Sequence, residues 1–289
     1  MEWLEVSLEV DGEAAEAVAE VLSRFAHKGV AIEAGPEGVE AGPVVVRAYL
    51  PVDGRLPQTR RRLEEALWHL SQIRPLPEPT FRRIAEADWA EAWKQHLRVL
   101  HIGQRIVVRP SWLDYDPQEG EVVIVLDPGM AFGTGLHPTT QMCLTALQKH
   151  VRPGASLLDL GTGSGILSIA GAKLGAERVL ALDSDPQAVT VARENVRRNG
   201  VADRVGVKEG SLAQAHGRFD LVVVNILARV IVEMLEQGLA KRLAPGGRLI
   251  LAGLIVDQEP EVREALRRAG LEPSEREQID DWVGLVATP

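Results

Sequence analysis

Residues 157–166 read Leu-Leu-Asp-Leu-Gly-Thr-Gly-Ser-Gly-Ile, and this run limits the fold more than any other part of the chain. An apolar strand enters a turn with glycines at 161, 163 and 165, and a helix opens at Gly165 and runs to Leu174. A second apolar stretch, Leu180-Ala-Leu, ends on Asp183. Glycine lets backbone pass close to a ligand where a Cβ would collide. An acidic residue at the next strand's end can accept hydrogen bonds from ribose hydroxyls. The dinucleotide fingerprint G-x-G-x-x-G is not met, because the third glycine comes one residue early, and no Walker lysine follows.

Composition excludes several functions. The 289 residues suffice for one large or two modest domains, and the net charge of −9 makes a nucleic-acid backbone a poor partner and a basic protein a better one. Cys143 is the single cysteine, which rules out disulfides within the chain and cysteine-based zinc sites. No metal site is expected, since His137 has no flanking ligands. Residues 1–10 alternate polar and apolar and carry three glutamates, unlike a secretory segment. No apolar run is long enough to cross a bilayer. A cytoplasmic protein is expected, and nothing demands more than a monomer.

Pattern divides the chain. Residues 1–84 read β-α-β-β-α-β, a small ferredoxin-like α+β domain. Its strands are expected at 3–10, 30–32, 44–50 and 80–85. Its helices are expected at 13–25, with Ala17, Val18, Val21, Leu22 and Phe25 on one face, and at 60–70. Residues 85–100 read as a connecting amphipathic helix with Trp89 and Trp93 at i, i+4 spacing. Residues 101–289 alternate strands and helices. Two strands, 105–108 and 122–126, precede the glycine loop. Further strands are expected at 156–160, 179–183, 205–208, 220–224 and 248–253, with helices at 165–174, 186–198 and 229–242 between them. A helix at 259–269 and a terminal hairpin complete a seven-stranded Rossmann-like sheet.

Three more segments carry chemistry. Residues 126–140 form a glycine-rich loop that contains Phe132, Gly133 and Gly135 and ends on Pro138, Thr139 and Thr140, which suit a helix's first turn. The loop lies just before the glycine strand, where it can cover a ligand. The strand at 219–225 ends on Asn225, followed by Ile226 and Leu227. A side-chain amide oxygen at that place can accept an amine's N–H and aim its lone pair. Phe132, Ile226 and Leu227 can supply an apolar pocket that favours the neutral amine. Glu209 and Ser211, at the end of the strand expected at 205–208, are adenine-side candidates. Cys143 belongs to a helix's core face, and His137 reads as a hydrogen-bonded loop histidine.

The glycine loop behind Asp159, with Gly161 and Gly163, resembles the S-adenosylmethionine (SAM) loop of class I methyltransferases. The match sharpens over Asp88-Trp-Ala-Glu-Ala-Trp93, Arg109-Pro-Ser-Trp112, the 126–140 segment, Asp159-Leu-Gly-Thr-Gly-Ser-Gly-Ile166 and Asn225-Ile-Leu-Ala228. Together these resemble the bacterial ribosomal protein L11 methyltransferase family, whose Phe-Gly-Thr-Gly-x-His-Pro-Thr-Thr string generic SAM enzymes lack. The resemblance implies a SAM-dependent protein N-methyltransferase that acts on lysine side chains and the α-amino group of L11. It implies SAM contacts at Thr140, Gly161, Asp183 and Asn225. It also implies that residues 1–84 recognise the substrate and that the connecting helix lets them move. Amino methyltransferases often carry Asn-Pro-Pro-aromatic where this chain has Asn225-Ile-Leu. Rival readings are the same chemistry on another protein such as an electron-transfer subunit, an RNA or small-molecule methyltransferase using Arg60–Arg62 and Arg82–Arg83, and a non-catalytic SAM-binding module.

Overall fold

A computed structural model describes all residues except 1, 11, 24, 27–29, 35–43, 73–74, 86–97 and 128–134. The expected connecting helix, with Trp89 and Trp93, therefore lies outside the described residues, as do Phe132 and Gly133. The chain divides into two compact units, Met1–Leu97 and Arg98–Pro289.

The first unit holds β1 (Glu2–Val10), α1 (Gly12–Ser23), β2 (Val30–Ala34), β3 (Val44–Pro51), α2 (Leu56–Ser71) and β4 (Thr80–Ala85). Its strands lie in the order β2-β3-β1-β4, all antiparallel, which is the ferredoxin-like arrangement. In β3 every second residue, Val44, Val46, Ala48 and Leu50, is buried, so one face of the sheet makes the core and the other meets solvent. α1 packs Ala14, Ala15, Val18, Val21 and Leu22 against it. Ala17 is exposed, a correction to the expected face. The apolar stripe instead runs through 14, 18, 21 and 22, following the 3.6-residue period. Arg60 pairs with Glu64 at 2.8 Å and its guanidinium sits 4.0 Å above the Phe81 ring, so this charge is held on the surface.

The second unit opens with a separate three-stranded sheet, β5 (Leu100–Ile102), β6 (Ile106–Arg109) and β7 (Val122–Val125). The pair β5–β6 is antiparallel and β6–β7 parallel. α3 (Pro138–His150) follows. Then come β8 (Ser156–Leu160), α4 (Ile166–Leu174), β9 (Arg178–Asp183), α5 (Pro186–Arg198), β10 (Val205–Glu209), β11 (Phe219–Asn225), α6 (Ala228–Glu236), β12 (Leu243–Ile255), α7 (Glu259–Arg268), β13 (Glu272–Ile279) and β14 (Trp282–Thr288). The seven-stranded sheet runs β10-β9-β8-β11-β12-β14-β13. The first five strands are parallel, and β14 inserts antiparallel between β12 and β13.

The central strands are buried on both faces, which explains their unbroken apolar runs. In β8, Leu157 and Leu158 show no exposure and each falls in a different core cluster, one per face of the sheet. The helix expected at 229–242 is two pieces: α6 ends at Glu236, and a short 3-10 turn spans Leu239–Arg242. Gly238 between them takes φ +95, a left-handed conformation that stops a helix.

Candidate active site

Strand register builds the site. Leu160 of β8 is level with Leu182 of β9 and with Val224 of β11. The residues one step further, Asp183, Gly161 and Asn225, therefore form one row at the carboxyl ends of three adjacent strands. Glu209 extends the row beyond Asp183, and Ala252 beyond Asn225. With neighbouring strands about 4.8 Å apart, Asp183 and Asn225 stand about 10 Å from each other, with the glycine turn between them. Ligands of open α/β sheets bind at this edge, where the strand order reverses beside β8.

The turn itself is held open by its own backbone. Gly161 N–H and Thr162 N–H both donate to the Leu182 carbonyl, at 2.9 and 3.0 Å, and Gly165 N–H closes onto the Thr162 carbonyl at 2.8 Å. Gly161 sits at φ +74 with the Ile226 side chain directly over the place a Cβ would occupy. The glycine is thus required both by its left-handed backbone and by the approach of Ile226. Gly163 also has positive φ, and its N–H donates to Asp183 Oδ2 at 2.8 Å. The second Asp183 oxygen accepts the Asp185 N–H at 3.0 Å. Asp183 therefore ties the glycine turn to the start of α5, and Asp185 caps that helix through the Gln187 N–H at 2.8 Å.

Asp159 is fully buried below the turn. Its Oδ2 accepts from Thr162 Oγ at 2.7 Å and from Ser168 Oγ at 2.6 Å. Its Oδ1 is buried with no hydrogen-bond partner among the described residues. Burial pushes its pKa up to about 6, against the two hydroxyl bonds, and the negative charge of Asp183 adds to the rise. A buried carboxylate oxygen left without a donor is costly unless a cationic or donating group meets it. Thr162 and Ser168 were not singled out in the sequence; their signal is that both lie on the turn and helix that fold back over Asp159.

On the other side of the row, Asn225 Nδ2 reaches Thr140 Oγ1 at 3.4 Å, joining the β11 end to the first turn of α3. Thr140 is buried. His137 caps α3: its side chain accepts the Thr139 N–H at 3.3 Å and its Nδ1 lies 2.7 Å from Thr139 Oγ1. Its ring meets Trp282 edge-on, 4.7 Å between centroids. Burial lowers its pKa, so it is neutral at pH 7. Gly135, two residues earlier, is buried at φ +89. Ile226 is half-buried on the glycine turn, whereas Leu227, which precedes α6, is 71% exposed. Glu209 is exposed, and Ser211 is half-buried, taking the Gln214 side chain at its N–H. Cys143 is buried in the core and its thiol pKa is raised by burial. Among the described residues, no group of three or more His, Cys, Asp or Glu is placed to hold a metal.

The family described as Ribosomal protein L11 methyltransferase (PrmA) matches residues 2–289 of this chain. The chain belongs to the ribosomal protein L11 methyltransferase family. A family member from Chloroflexus aurantiacus is 50% identical over 319 aligned positions, covering 98% of this chain and 97% of that one. Another from Herpetosiphon aurantiacus is 43% identical, with 98% of each chain covered. The crystal structure of a ribosomal protein L11 methylase from Lactobacillus delbrueckii subsp. bulgaricus has 35% identity and a TM-score of 0.61, and covers 66% of this chain and 98% of its own. Membership in the L11 methyltransferase family fixes the chain as an enzyme of class I fold that methylates a protein.

Proposed function

We propose that this protein transfers methyl groups from SAM to amines of ribosomal protein L11, lysine side chains and the α-amino group among them. The observation that carries the cofactor is the fit of the row to a nucleoside sulfonium. Asp183 at the β9 end suits ribose hydroxyls, the backbone of the glycine turn lies beside it through the Gly163 N–H, and the Asp159 oxygen, without a hydrogen-bond partner among the described residues, suits a nearby cation. Gly161, Gly163, Gly135 and Thr140 are assigned to this track, while the expected contacts Phe132 and Gly133 lie outside the described residues. When bound, SAM supplies an electrophilic methyl carried on a positive sulfur.

The protein's residues then have separable tasks. Asn225 stands at the acceptor end. Its amide NH2 donates to Thr140, which leaves its carbonyl oxygen to accept an N–H from the incoming amine and fix the lone pair's direction. Ile226, packed on the glycine turn, makes the apolar wall that disfavours a charged ammonium at the point of transfer. Leu227 marks the way in. His137 is spent on capping α3, so proton removal precedes docking and passes to solvent. Residues 1–84 serve as the substrate-recognition domain.

A SAM titration followed by single-turnover transfer tests this division. Asn225→Ala is expected to bind SAM within about threefold of the wild type while transfer slows by about 100-fold, the loss typical of a positioning contact. Equal transfer rates would remove Asn225 from the acceptor site.

A further inference from the structure

Four large apolar side chains stand exposed among the described residues: Trp68 at 58%, Leu136 at 52%, Leu227 at 71% and Val256 at 38%. Trp68 belongs to the first unit. The other three share one edge of the second, the edge that carries the candidate site. Leu136 precedes α3, Leu227 follows β11 and Val256 follows β12. Single apolar residues scattered over a surface are ordinary, but a group gathered around one entrance marks an interaction surface.

Contacts connect the three positions. Leu136, whose carbonyl is held by Gln141 Nε2 at 2.8 Å, adjoins His137, and the His137 ring meets Trp282. Asp281, next to Trp282, accepts the Val256 N–H at 2.9 Å. In β12, Gly253 at φ +93 lies against the Ile226 backbone with no space for a Cβ, and Leu227 is the next residue along. The rim therefore runs from Leu136 through Trp282 and Val256 to Leu227. Among the described residues its exposed charges include three acids: Asp257 beside Val256, and Asp280 and Asp281 at the tip of the β13–β14 hairpin. The base nearest in sequence to Leu227, Arg229, faces Glu233 at 3.7 Å.

A small ligand enclosed in the sheet's crevice gains nothing from leucines on the outer lip. A protein segment does, and a lysine fits best, since its methylene stem packs on apolar surface while its ammonium seeks acid. We propose that Leu136, Val256 and Leu227, flanked by Asp257, Asp280 and Asp281, form the surface on which a lysine-bearing segment of the protein substrate docks as its target amine enters beside Asn225. This rests on the proposed function and adds where the catalytic unit grips its substrate. The acids hold the cationic neighbours of the reacting residue, so the grip weakens with salt.

The test uses the full chain, ribosomal protein L11 and labelled SAM, with SAM affinity measured separately by titration calorimetry. Leu136→Ser with Val256→Ser, which removes the apolar surface and adds no charge, is expected to raise the KM for L11 about tenfold while SAM affinity stays within about twofold. A second variant, Asp257→Lys with Asp281→Lys, is expected to raise KM about fivefold and to flatten its dependence on salt. Unchanged KM in both variants, with the wild type methylating L11, overturns the rim alone. A wild type that binds SAM and transfers no methyl to L11 overturns the substrate reading and the rim with it.

Discussion

The charge state of Asp159 has a measurable consequence for folding. Its carboxyl is fully buried, accepts two hydroxyl hydrogen bonds on one oxygen and, among the described residues, none on the other, and burial raises its pKa from the ordinary 3.8 of an aspartate to about 6. Because the folded value lies above the unfolded one, the native state holds the proton more tightly between these two pH values. Stability contributed by the protonated form is present at low pH and is lost as pH rises through about 6. Two pKa units at 1.36 kcal/mol each put the full penalty at about 3 kcal/mol, of which about 2 kcal/mol accrues between pH 4.5 and 7.5. Asp159→Asn removes the ionisation and keeps an oxygen for Thr162 and Ser168. Denaturant unfolding of both proteins without ligand, at several pH values, isolates the effect. The stability of the wild type relative to the Asn variant is expected to fall by about 2 kcal/mol across that range, as the burial penalty is switched on. SAM should reverse the order: its affinity for the wild type should rise with pH through about 6, and the Asn variant should bind about tenfold more weakly with no such rise. A difference between the two proteins that stays flat from pH 4.5 to 7.5 would refute the reasoning.

Other expectations follow from single contacts. Gly161→Ala forces a Cβ into the Ile226 side chain at φ +74 and should cost about 2–4 kcal/mol of stability and most of the SAM affinity, read by thermal unfolding and calorimetry. Asn199 of the α5 cap donates to the Val125 carbonyl at 2.7 Å and accepts the Val125 N–H at 2.8 Å. Asn199→Ala should therefore strip both partners from β7 and destabilise by about 1–3 kcal/mol in urea. Removing the neighbouring Arg198–Asp127 pair, 2.7 Å apart but partly exposed, should change stability by under about 1 kcal/mol. Cys143, buried and with its thiol pKa raised, should resist alkylation at pH 8 in the native protein and react promptly in denaturant.

The fold was legible where period and punctuation agree. The glycine run gave the β8–α4 junction, and the apolar strands ending on Asp183 and Asn225 gave the row that defines the site, because parallel strands in register place their ends together. Pairwise consequences of folding were less visible. Thr162 and Ser168 turn out to hold Asp159, and nothing in their spacing distinguishes them from surface hydroxyls until the turn closes. Gly253 is required by its backbone at φ +93 and by the Ile226 backbone just past β11, which lies where a Cβ would be. Leu227 reads as a pocket residue from its apolar character, yet stands in solvent because it precedes α6 instead of packing under it. The strand β5 (Leu100–Ile102) is too short for a period of two to register, and its sheet is separate from the large one. Gly238 could have marked the end of α6, but the apolar pattern continuing through Leu239 and Ala240 concealed it.

The central claim, methyl transfer to ribosomal protein L11, is tested most directly by mass spectrometry of purified L11 after incubation with this protein and SAM. Mass increments of whole methyl groups are expected, mapping to lysine side chains and the amino terminus and accumulating about 100-fold more slowly with Asn225→Ala. An L11 whose mass is unchanged, with SAM binding intact, would contradict that claim.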